Sequence, residues 1–405
     1  MKETELIQIA LMLTPPWKVA ECQIDVNQKR LDIHLDFARG SRFSCPSCGQ
    51  ADCAVHDTEQ KSWRHLNFFQ HETYMYARVP RIRCKKCGVR VVDVPWARDG
   101  SGFTLLFEAY IMLLAPSMPV NRIAELILEH DTRLWRVLHH HVKEARKQSD
   151  HSDVKQVGVD ETSSKRGHNY VTVVVDLKES KTIFATEGKD SATIGRFKDD
   201  LTEHKGKPES ITDVSCDMSP AFIKGIKENL PNAQITFDKF HLLKTLNTAV
   251  DEVRRQEQKG CPELKNTRYI FLKNPENLTK KQSEQLKDIK LKDLNLKTMR
   301  AYHLRLNFQE LWFQPPGQAE DFLKKWYYWA THSRIEPMKE AAKTMKQHWN
   351  GILNWFKSKI SNGILEGINS LVQAAKARAR GYRTNEYLIT MIYLITGKLR
   401  FNLPS

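Results

Sequence analysis

Two Cys-x-x-Cys pairs near the N-terminus constrain the fold more than any other feature of the sequence, and 35 residues separate them. Each pair is followed by glycine, and together they comprise Cys45, Cys48, Gly49, Cys84, Cys87 and Gly88. Four thiolates in two tight turns suit a tetrahedral zinc ion, and each glycine permits a positive φ that aims backbone amides at sulfur. The strand-like segment 72–83 between the pairs favours a zinc-ribbon hairpin. The alternative is two chance pairs of free thiols.

Other potential ligands leave the zinc set open. Cys53 or His56 could replace one cysteine, and with His56 the site would have three cysteines and one histidine. We expect no signal peptide, because Glu3 and Glu5 precede the first apolar residues and no small-residue cleavage site follows. Without secretion, the cysteine pattern indicates metal binding rather than disulfides. The remaining thiols are expected to be ordinary buried cysteines: Cys22, Cys216 and Cys261.

Charge and length define the broad class of protein. A chain of 405 residues predicts two or three domains. It carries 63 lysines and arginines against 48 aspartates and glutamates, a net charge of +15, which favours a polyanionic partner such as nucleic acid. With 40% hydrophobic and 27% charged residues, the composition argues against a disordered or membrane protein. Its apolar runs are shorter than the roughly 18 residues of a membrane span, so we expect a cytosolic protein.

Residues 101–147 predict three short helices. An apolar run covers 105–115, a helical pattern includes Ile123, Leu126 and Ile127, and a third helix follows with Asp131 or Thr132 as its N-cap. The third helix carries the basic side chains Arg133, Arg136, His139, His140, Lys143 and Arg146. This order resembles a helix-turn-helix, whose last helix reads the major groove of DNA. A plain helical linker with a solvated basic face is the alternative.

From residue 154 the pattern changes to strands. Strands are predicted at 157–162, 168–176, 182–186, 211–217 and 233–237, with helices at 192–204 and 221–230. Three hairpin-connected strands followed by helix, strand, helix and strand give the order of an RNase H-like mixed sheet, an α/β fold. The first and fourth strands end on Asp160 and Asp217, and carboxylates at adjacent strand ends can share divalent cations. Asp238 also ends a strand and is the main rival; Asp213 and Glu161 are weaker candidates.

Residues 239–349 predict helices without strands, and a two-sided helix follows. Its apolar stripe consists of Leu365, Ile368, Val372, Ala375 and Ala379. Its polar stripe consists of Asn362, Glu366, Asn369, Gln373, Lys376 and Arg380. A metal-binding Glu366 followed by phosphate-binding bases would give this order. A surface helix with solvated charges is the alternative.

Over nearly its full length the chain resembles the bacterial insertion-sequence transposases of the ISL3 type. The matching motifs are the two cysteine knuckles with 63–66 (WRHL) between them, the helix-turn-helix after 95–96, and the segments 158–161 (GVDE), 216–222 (CDMSPAF), 238–241 (DKFH) and 362–382. The resemblance implies a DDE triad of Asp160, Asp217 and Glu366 on an RNase H-like fold. Asp217 follows Asp160 by 57 positions and Glu366 follows Asp217 by 149, which leaves room for an all-helical insertion.

The resemblance implies a two-metal reaction that cleaves DNA and transfers strands. Asp160 would bridge two Mg²⁺ or Mn²⁺ ions, Asp217 would hold one and Glu366 the other. The cysteines would hold a structural zinc ion. The side chains expected to contact DNA are Arg133, Arg136, His139, Lys143, Lys376, Arg378, Arg380 and Arg383.

The expected domains follow the motifs: an N-terminal segment (1–40), a zinc ribbon (41–98), a helix-turn-helix (99–150), the first part of the core (151–258), a helical insertion (259–349) and the last part of the core (350–405). The expected partners are double-stranded DNA, as terminal inverted repeats and target, and at least a second copy of the chain, in the bacterial cytoplasm at the nucleoid. Two other functions remain open: an inactive, transposase-derived DNA-binding regulator, and an RNase H-like nuclease without strand transfer.

Overall fold

The computed structural model describes residues 2–165, 167, 169–292, 296–360 and 363–404. The chain forms two compact units, residues 1–145 with 400–405 and residues 146–399, which we call the N-terminal unit and the C-terminal unit. In these described ranges, no helix is both long and apolar enough to cross a membrane. One predicted strand begins at His168 and the predicted polar stripe begins at Asn362. Both of these residues lie outside the described residues.

A six-stranded sheet organises the N-terminal unit. Its strands are β1 (Trp17–Asp25), β2 (Arg30–Phe37), β3 (Arg42–Phe43), β4 (Cys53–Phe68), β5 (His71–Cys84) and β6 (Gly88–Val91). The order is β1-β2-β5-β4-β3, β6 also pairs with β5, and only the β2–β5 pairing is parallel among these strands. The hairpin of β4 and β5 confirms the strand predicted between the cysteine pairs. Strands β1 and β2, which the sequence analysis did not predict, extend the same sheet.

Alternation along β5 explains where the core of this unit lies. Its buried positions recur at nearly every second residue and end at Cys84. Aromatic rings complete the core, with Trp96 between Trp17 and Trp63 at centroid distances of 4.8 and 5.6 Å. A short helix, α1 (Glu3–Ala10), precedes the sheet. The sheet therefore buries one face and carries the zinc knuckles at the end of its longest hairpin.

The three predicted short helices are present. They are α2 (Leu105–Leu114), α3 (Val120–Ile127) and α4 (Asp131–Lys147). Thr104 caps α2, because its hydroxyl accepts the N–H of Phe107 at 3.3 Å. The helical pattern predicted for α3 is confirmed, and the helix buries Val120, Ile123, Ala124 and Ile127 while Leu126 is 56% exposed. One detail of the sequence prediction was wrong. Asp131 is the first residue of α4 rather than a residue preceding it, and its carboxylate complements the helix dipole there.

A five-stranded mixed sheet forms the centre of the C-terminal unit. Its strands are β7 (Gln156–Lys165), β8 (Asn169–Asp176), β9 (Lys181–Glu187), β10 (Asp213–Cys216) and β11 (Gln234–Phe237). The order is β11-β10-β7-β8-β9. β7, β8 and β9 are antiparallel neighbours, whereas β10 runs parallel to both β7 and β11. β8 is rich in β-branched residues and buried along nearly all its length, as expected for a strand covered on both faces.

Helices surround this sheet and fill the region between β11 and the last part of the chain. They are α5 (Ala192–Glu203), α6 (Pro220–Asn229), α7 (Lys239–Glu257), α8 (Arg268–Phe271), α9 (Lys280–Lys292), α10 (Lys297–Gln309), α11 (Ala319–His332), α12 (Glu336–Gln347), α13 (Trp349–Ser358), α14 (Gly363–Arg378) and α15 (Asn385–Thr396). Between β11 and α14 the described residues contain helices and turns and no strand, as predicted. Their core is continuous with that of the sheet and includes the fully buried Trp326.

Candidate catalytic site and DNA-binding surfaces

Three aspartates lie in one row across neighbouring parallel strands. β10 and β11 end just before Asp217 and Asp238. The prediction that the first strand ends at Asp160 was wrong, because β7 continues to pair with β8 as far as Lys165. Continued past the last paired residues, the register of β10 with β7 puts Asp217 level with Asp160. The register of β10 with β11 puts Asp238 level with Asp217. Neighbouring strands are about 4.8 Å apart, and residues in one row point to the same face of the sheet. The fold therefore gathers three carboxylates from segments that are distant in sequence.

The helix α14 packs closely against β7. A Cβ atom on Gly158 would lie 2.6 Å from Cδ1 of Leu365 and 3.0 Å from Cδ2 of Leu177. Only glycine fits at this position without a shift of its neighbours. The apolar stripe of α14 is buried at Leu365, Ile368, Val372 and Ala375, as predicted.

Two amides of the polar stripe bond to β7. Nδ2 of Asn369 donates to Oδ2 of Asp160 at 2.6 Å. One turn further along, Nε2 of Gln373 donates to Oγ1 of Thr162 at 2.5 Å. Because alternate residues of a strand face the same side, Asp160 and Thr162 share the face that α14 covers. The polar stripe of α14 therefore runs alongside β7. The sequence analysis identified this stripe but gave Asn369 no individual role.

Glu366 lies in the first turn of α14 and is exposed. Partial desolvation raises the pKa of Glu366, and the negative charge of Asp238 adds to this effect while His241 opposes it. The carboxylates of Asp160, Asp217 and Glu366 do not all lie within 4.8 Å of one another in the part of the chain that the structure describes.

Asp238 has two local partners. Its side chain caps α7, with Oδ1 accepting the N–H of Phe240 at 3.1 Å, and it is 6% exposed. Oδ2 lies 2.8 Å from Nδ1 of His241. This hydrogen bond raises the pKa of His241, and the charges of Asp217 and Asp160 act in the same direction. His241 is thus a functional candidate that the sequence analysis quoted in a motif without assigning a role.

Burial raises the pKa of Asp160 to about 6. The negative charges of Asp217 and Asp238 add to this effect, whereas the N–H of Glu161, 2.8 Å from Oδ1 of Asp160, opposes it. A raised carboxylate pKa among like charges marks a place where a cation would relieve the repulsion. Carboxylate oxygens are also the hard donors that Mg²⁺ and Mn²⁺ prefer. The donor set therefore fits divalent metal ions.

The two weaker carboxylate candidates have other contacts. Oδ2 of Asp213 accepts the hydroxyl of Thr212 at 2.8 Å and Nε2 of Gln156 at 3.2 Å, which is a local turn role. Glu161 lies 3.8 Å from Nζ of Lys189. Burial raises the pKa of Glu161, while Lys189 opposes the shift.

The zinc ligands form a compact cluster. The Sγ atoms of Cys45, Cys48, Cys84 and Cys87 all lie within 4.8 Å of one another. The φ angles are 71° at Gly49 and 75° at Gly88, in the left-handed region that the sequence predicts. The N–H groups of Cys87 and Lys86 lower the pKa of Cys84, which favours the thiolate that zinc requires, whereas the contact with Cys48 and burial raise the pKa of Cys87. The described residues therefore fit a zinc site with four cysteine ligands.

The alternative ligands point elsewhere. The thiol of Cys53 lies 3.4 Å from the carbonyl oxygen of Gln50. Nδ1 of His56 lies 3.2 Å from the guanidinium of Arg83. Neither side chain belongs to the four-cysteine group among the described residues. Of the remaining thiols, Cys216 is buried as predicted, but Cys22 and Cys261 are only partly buried.

The basic residues of α4 fall into two groups. Arg136 and Lys143 are exposed on the face opposite the buried apolar stripe. The guanidinium of Arg133 instead lies 2.5 Å from Glu129 and 4.2 Å from the ring centroid of Phe103. His139 is half-buried and stacks near Trp135 at 5.9 Å. His140, by contrast, is partly buried, and its pKa is lowered by desolvation.

Arg146, in the last turn of α4, belongs to the C-terminal unit. It lies 2.5 Å from Asp200 and donates to the carbonyl oxygen of Ile183 at 2.8 Å. Its guanidinium also stacks on Tyr393 at 4.1 Å. These contacts give Arg146 a packing role instead of the place in a DNA-reading helix that the sequence suggested.

The helix α14 ends earlier than predicted, before the last basic residue of the polar stripe, Arg380. The helix ends at Arg378, and Arg380 has φ of 55° because the chain turns there. The N–H of Gly381 closes this turn on the carbonyl oxygen of Lys376 at 2.8 Å. Nζ of Lys376 donates to the carbonyl oxygen of Ser163 at 2.6 Å. Arg378, Arg380 and Arg383, which lie around this turn, are exposed.

Three models of known protein families match three separate segments of the chain. The family model described as "Transposase", of the ISL3 type, matches residues 157–392. The model described as "Helix-turn-helix domain of transposase family ISL3" matches residues 92–142. The model described as "zinc-finger of transposase IS204/IS1001/IS1096/IS1165" matches residues 41–87.

Curated relatives agree over most of the chain. It is 29% identical over 391 residues to the transposase for insertion sequence element IS1557 of Mycobacterium tuberculosis, covering 89% of this chain and 87% of that protein. It is also 29% identical over 361 residues to the transposase for insertion sequence element IS1001 of Bordetella parapertussis, covering 86% and 87%.

The three family models together define a transposase with zinc-finger and helix-turn-helix domains. The chain belongs to the ISL3 family of transposases. This confirms the resemblance drawn from the sequence motifs.

Proposed function

We propose that this protein is a DDE transposase that binds the terminal inverted repeats of its insertion sequence and catalyses metal-dependent DNA cleavage and strand transfer. The observation that carries the proposal is the aspartate row beside Glu366 of α14. The strand order β11-β10-β7-β8-β9, in which β7, β8 and β9 are antiparallel, supports an RNase H-like core. Membership of a transposase family supports the reaction class.

The triad residues have distinct positions in this proposal. Asp160 occupies the central strand β7, Asp217 follows its parallel neighbour β10, and Glu366 lies on the helix that covers β7. Asn369 fixes the carboxylate of Asp160 through Oδ2. Two divalent ions bound there would activate the attacking oxygen and stabilise the leaving oxygen at phosphorus. The protein would thus hold the scissile phosphate against a rigid edge of the sheet.

Asp238 has a supporting role in this proposal. It is more buried than Asp217 and already caps α7 while bonded to His241. These two bonds position His241 next to the row. We assign Asp238 to holding α7 and His241 in place, and Glu366 to the third acidic position.

DNA recognition would come from the N-terminal unit. The exposed Arg136 and Lys143 would contact DNA from α4, as the last helix of a helix-turn-helix does. A zinc ion on the four cysteines would rigidify the knuckles of the ribbon. Because two element ends must be joined, we propose at least a dimer on DNA, acting in the bacterial cytoplasm at the nucleoid.

The test uses a plasmid that carries the native flanks of the gene. Purified protein is incubated with it in Mg²⁺ or Mn²⁺, alongside Glu366→Gln. Specific 3′-OH ends or joined products that vanish in the variant are the expected result. Sequence-specific binding without cleavage would support a DNA-binding regulator instead. Cutting of branched DNA without joining would support an RNase H-like nuclease.

A further inference from the structure

A buried cluster of potential metal ligands lies in the C-terminal unit, separate from the aspartate row. One ligand atom from each of His151, Asp200 and His204 lies within 4.8 Å of the others. His151 is 4% exposed and His204 is 8% exposed. The two imidazole rings lie 5.1 Å apart with an interplanar angle of 33°. Two histidines and a carboxylate are a donor set suited to zinc and similar transition metals.

The polar atoms of this cluster are incompletely satisfied. Among the described residues, neither ring nitrogen of His151 has a hydrogen-bond partner, and Oδ2 of Asp200 has none either. Leaving a buried nitrogen or oxygen without a partner is costly. A cation bound between His151 and Asp200 would satisfy one ring nitrogen of His151 and Oδ2 of Asp200. The unpartnered ring nitrogens of the buried His151 therefore indicate a bound ligand.

Neighbouring contacts hold the potential ligands in place. Nδ1 of His204 lies 2.7 Å from the carbonyl oxygen of Asp200. Because a carbonyl only accepts, Nδ1 carries the hydrogen and Nε2 keeps the lone pair, which is the usual outer contact of a metal-binding histidine. Arg146 lies 2.5 Å from Oδ1 of Asp200. Oδ2 lies 3.5 Å from Nδ1 of His204 and makes no hydrogen bond among the described residues. The backbone N–H of His151 donates to the carbonyl oxygen of His204 at 2.8 Å.

We propose that His151, Asp200 and His204 form a second zinc site, with water as the fourth ligand. The ion would join the segment before β7 to the end of α5. That segment leads directly into the strand of Asp160, so the site would anchor the beginning of the central sheet. The proposal does not depend on the catalytic role of the aspartate row.

The test counts zinc in the full chain carrying Asp160→Asn and Glu366→Gln, so that the acidic site adds little to the total. After equilibration with Zn²⁺ and desalting, elemental analysis should give about two zinc ions per chain. Adding His151→Gln should reduce the count to about one, because the cysteines keep theirs. The matched control is His332→Gln, an exposed histidine on α11, which should leave the count unchanged. A count that His151→Gln does not lower overturns the proposal.

X-ray absorption at the zinc edge decides the question without a histidine variant. In the same background protein, the four-cysteine site alone gives only sulfur neighbours at about 2.3 Å. The proposed site adds nitrogen and oxygen neighbours at about 2.0–2.2 Å, including imidazole scattering. A sulfur-only shell would overturn the proposal even if His151→Gln fails to fold.

Discussion

Asn369 on α14 donates a 2.6 Å hydrogen bond to Oδ2 of Asp160 on β7, across 209 residues of sequence. This bond ties the helix of Glu366 to the central strand of the sheet. Because Asp160 is held from one side, its orientation depends on how α14 packs. The acidic site is therefore a property of the contact between β7 and α14, and changes in that contact should affect the reaction.

Replacing Asn369 should weaken catalysis while leaving the fold intact. Asn369→Leu removes the donor to Asp160, and loss of such an outer contact typically costs about 10- to 100-fold in activity or metal affinity. Strand-transfer rates at increasing Mn²⁺ should show partial rescue of the variant. Ser370→Ala, on an exposed position of the same helix, is the control. Full activity of Asn369→Leu at low Mn²⁺ would mean that the bond has no role in the site.

Gly158→Ala should displace α14 from β7. The added Cβ would lie 2.6 Å from Leu365, so we expect a loss of about 1–3 kcal/mol in the free energy of unfolding, together with a fall in cleavage. Leu365→Ala alone should cost about 2–5 kcal/mol, because Leu365 is buried. The double variant should lose less than the sum of the two single variants, because the clash with Leu365 is gone. The control is Gly195→Ala in α5, where the nearest atom is at an ordinary 3.6 Å and where alanine should stabilise the helix by about 0.5–1 kcal/mol. Additive losses in the double variant would contradict this packing argument.

Glu108 should make the stability of the N-terminal unit depend on pH. Its fully buried carboxylate lies 2.7 Å from Nε2 of His141 and accepts bonds from Ser101 at 2.6 Å and Arg98 at 3.0 Å. Burial opposes its ionisation, but these partners outweigh burial and lower the pKa of Glu108. Its stabilisation should therefore be present above the ordinary glutamate pKa of about 4.3 and be lost as the pH falls below it.

Denaturant unfolding followed by tryptophan fluorescence tests this prediction. Glu108→Gln should destabilise the protein by about 3 kcal/mol near neutral pH, because it breaks a buried ionic cluster. The difference from wild type should shrink in acid. Glu125→Gln, which affects only the exposed pair with Arg122, should change stability by less than about 1 kcal/mol at either pH. A destabilisation by Glu108→Gln that is equal at both pH values would contradict the assignment.

The exposed bases of α4 should account for the salt dependence of DNA binding. Arg136→Ala and Lys143→Ala should each weaken binding and reduce the slope of log affinity against log salt by about 1. Arg133→Ala should change the slope less, since its guanidinium pairs with Glu129. Fluorescence anisotropy over a series of salt concentrations measures these slopes. A larger effect from Arg133 than from Lys143 would reverse the proposed orientation of the helix.

Local sequence patterns predicted the elements of this fold well. The four cysteines, their glycines and the hairpin between them follow from spacing and turn chemistry alone. Asp160 and Asp217 were proposed because the sequence places each at the end of an apolar strand, although β7 continues past Asp160 to Lys165. Glu366 was proposed from a polar stripe with helical spacing beside a buried one.

Relationships between distant segments were not visible in the sequence. The bond from Asn369 to Asp160 depends on the docking of α14 on β7, and no local pattern encodes that docking. Gly158 is required by Leu365, which lies in another part of the chain. The C-terminal end of α14 was placed too late, because the exposed basic residues continue the polar pattern past the turn at Arg380 and Gly381.

The central claim is that Asp160, Asp217 and Glu366 carry out the cleavage of DNA. The most direct measurement compares Asp160→Asn, Asp217→Asn and Glu366→Gln with wild type in Mn²⁺-dependent cleavage of DNA carrying the element's ends, with binding to the same DNA measured in parallel. Each variant should lose cleavage by about a hundredfold or more while binding is retained. Asp238→Asn should keep measurable cleavage. Cleavage at the wild-type rate by any of the three variants, or its complete loss only in Asp238→Asn, would contradict the account.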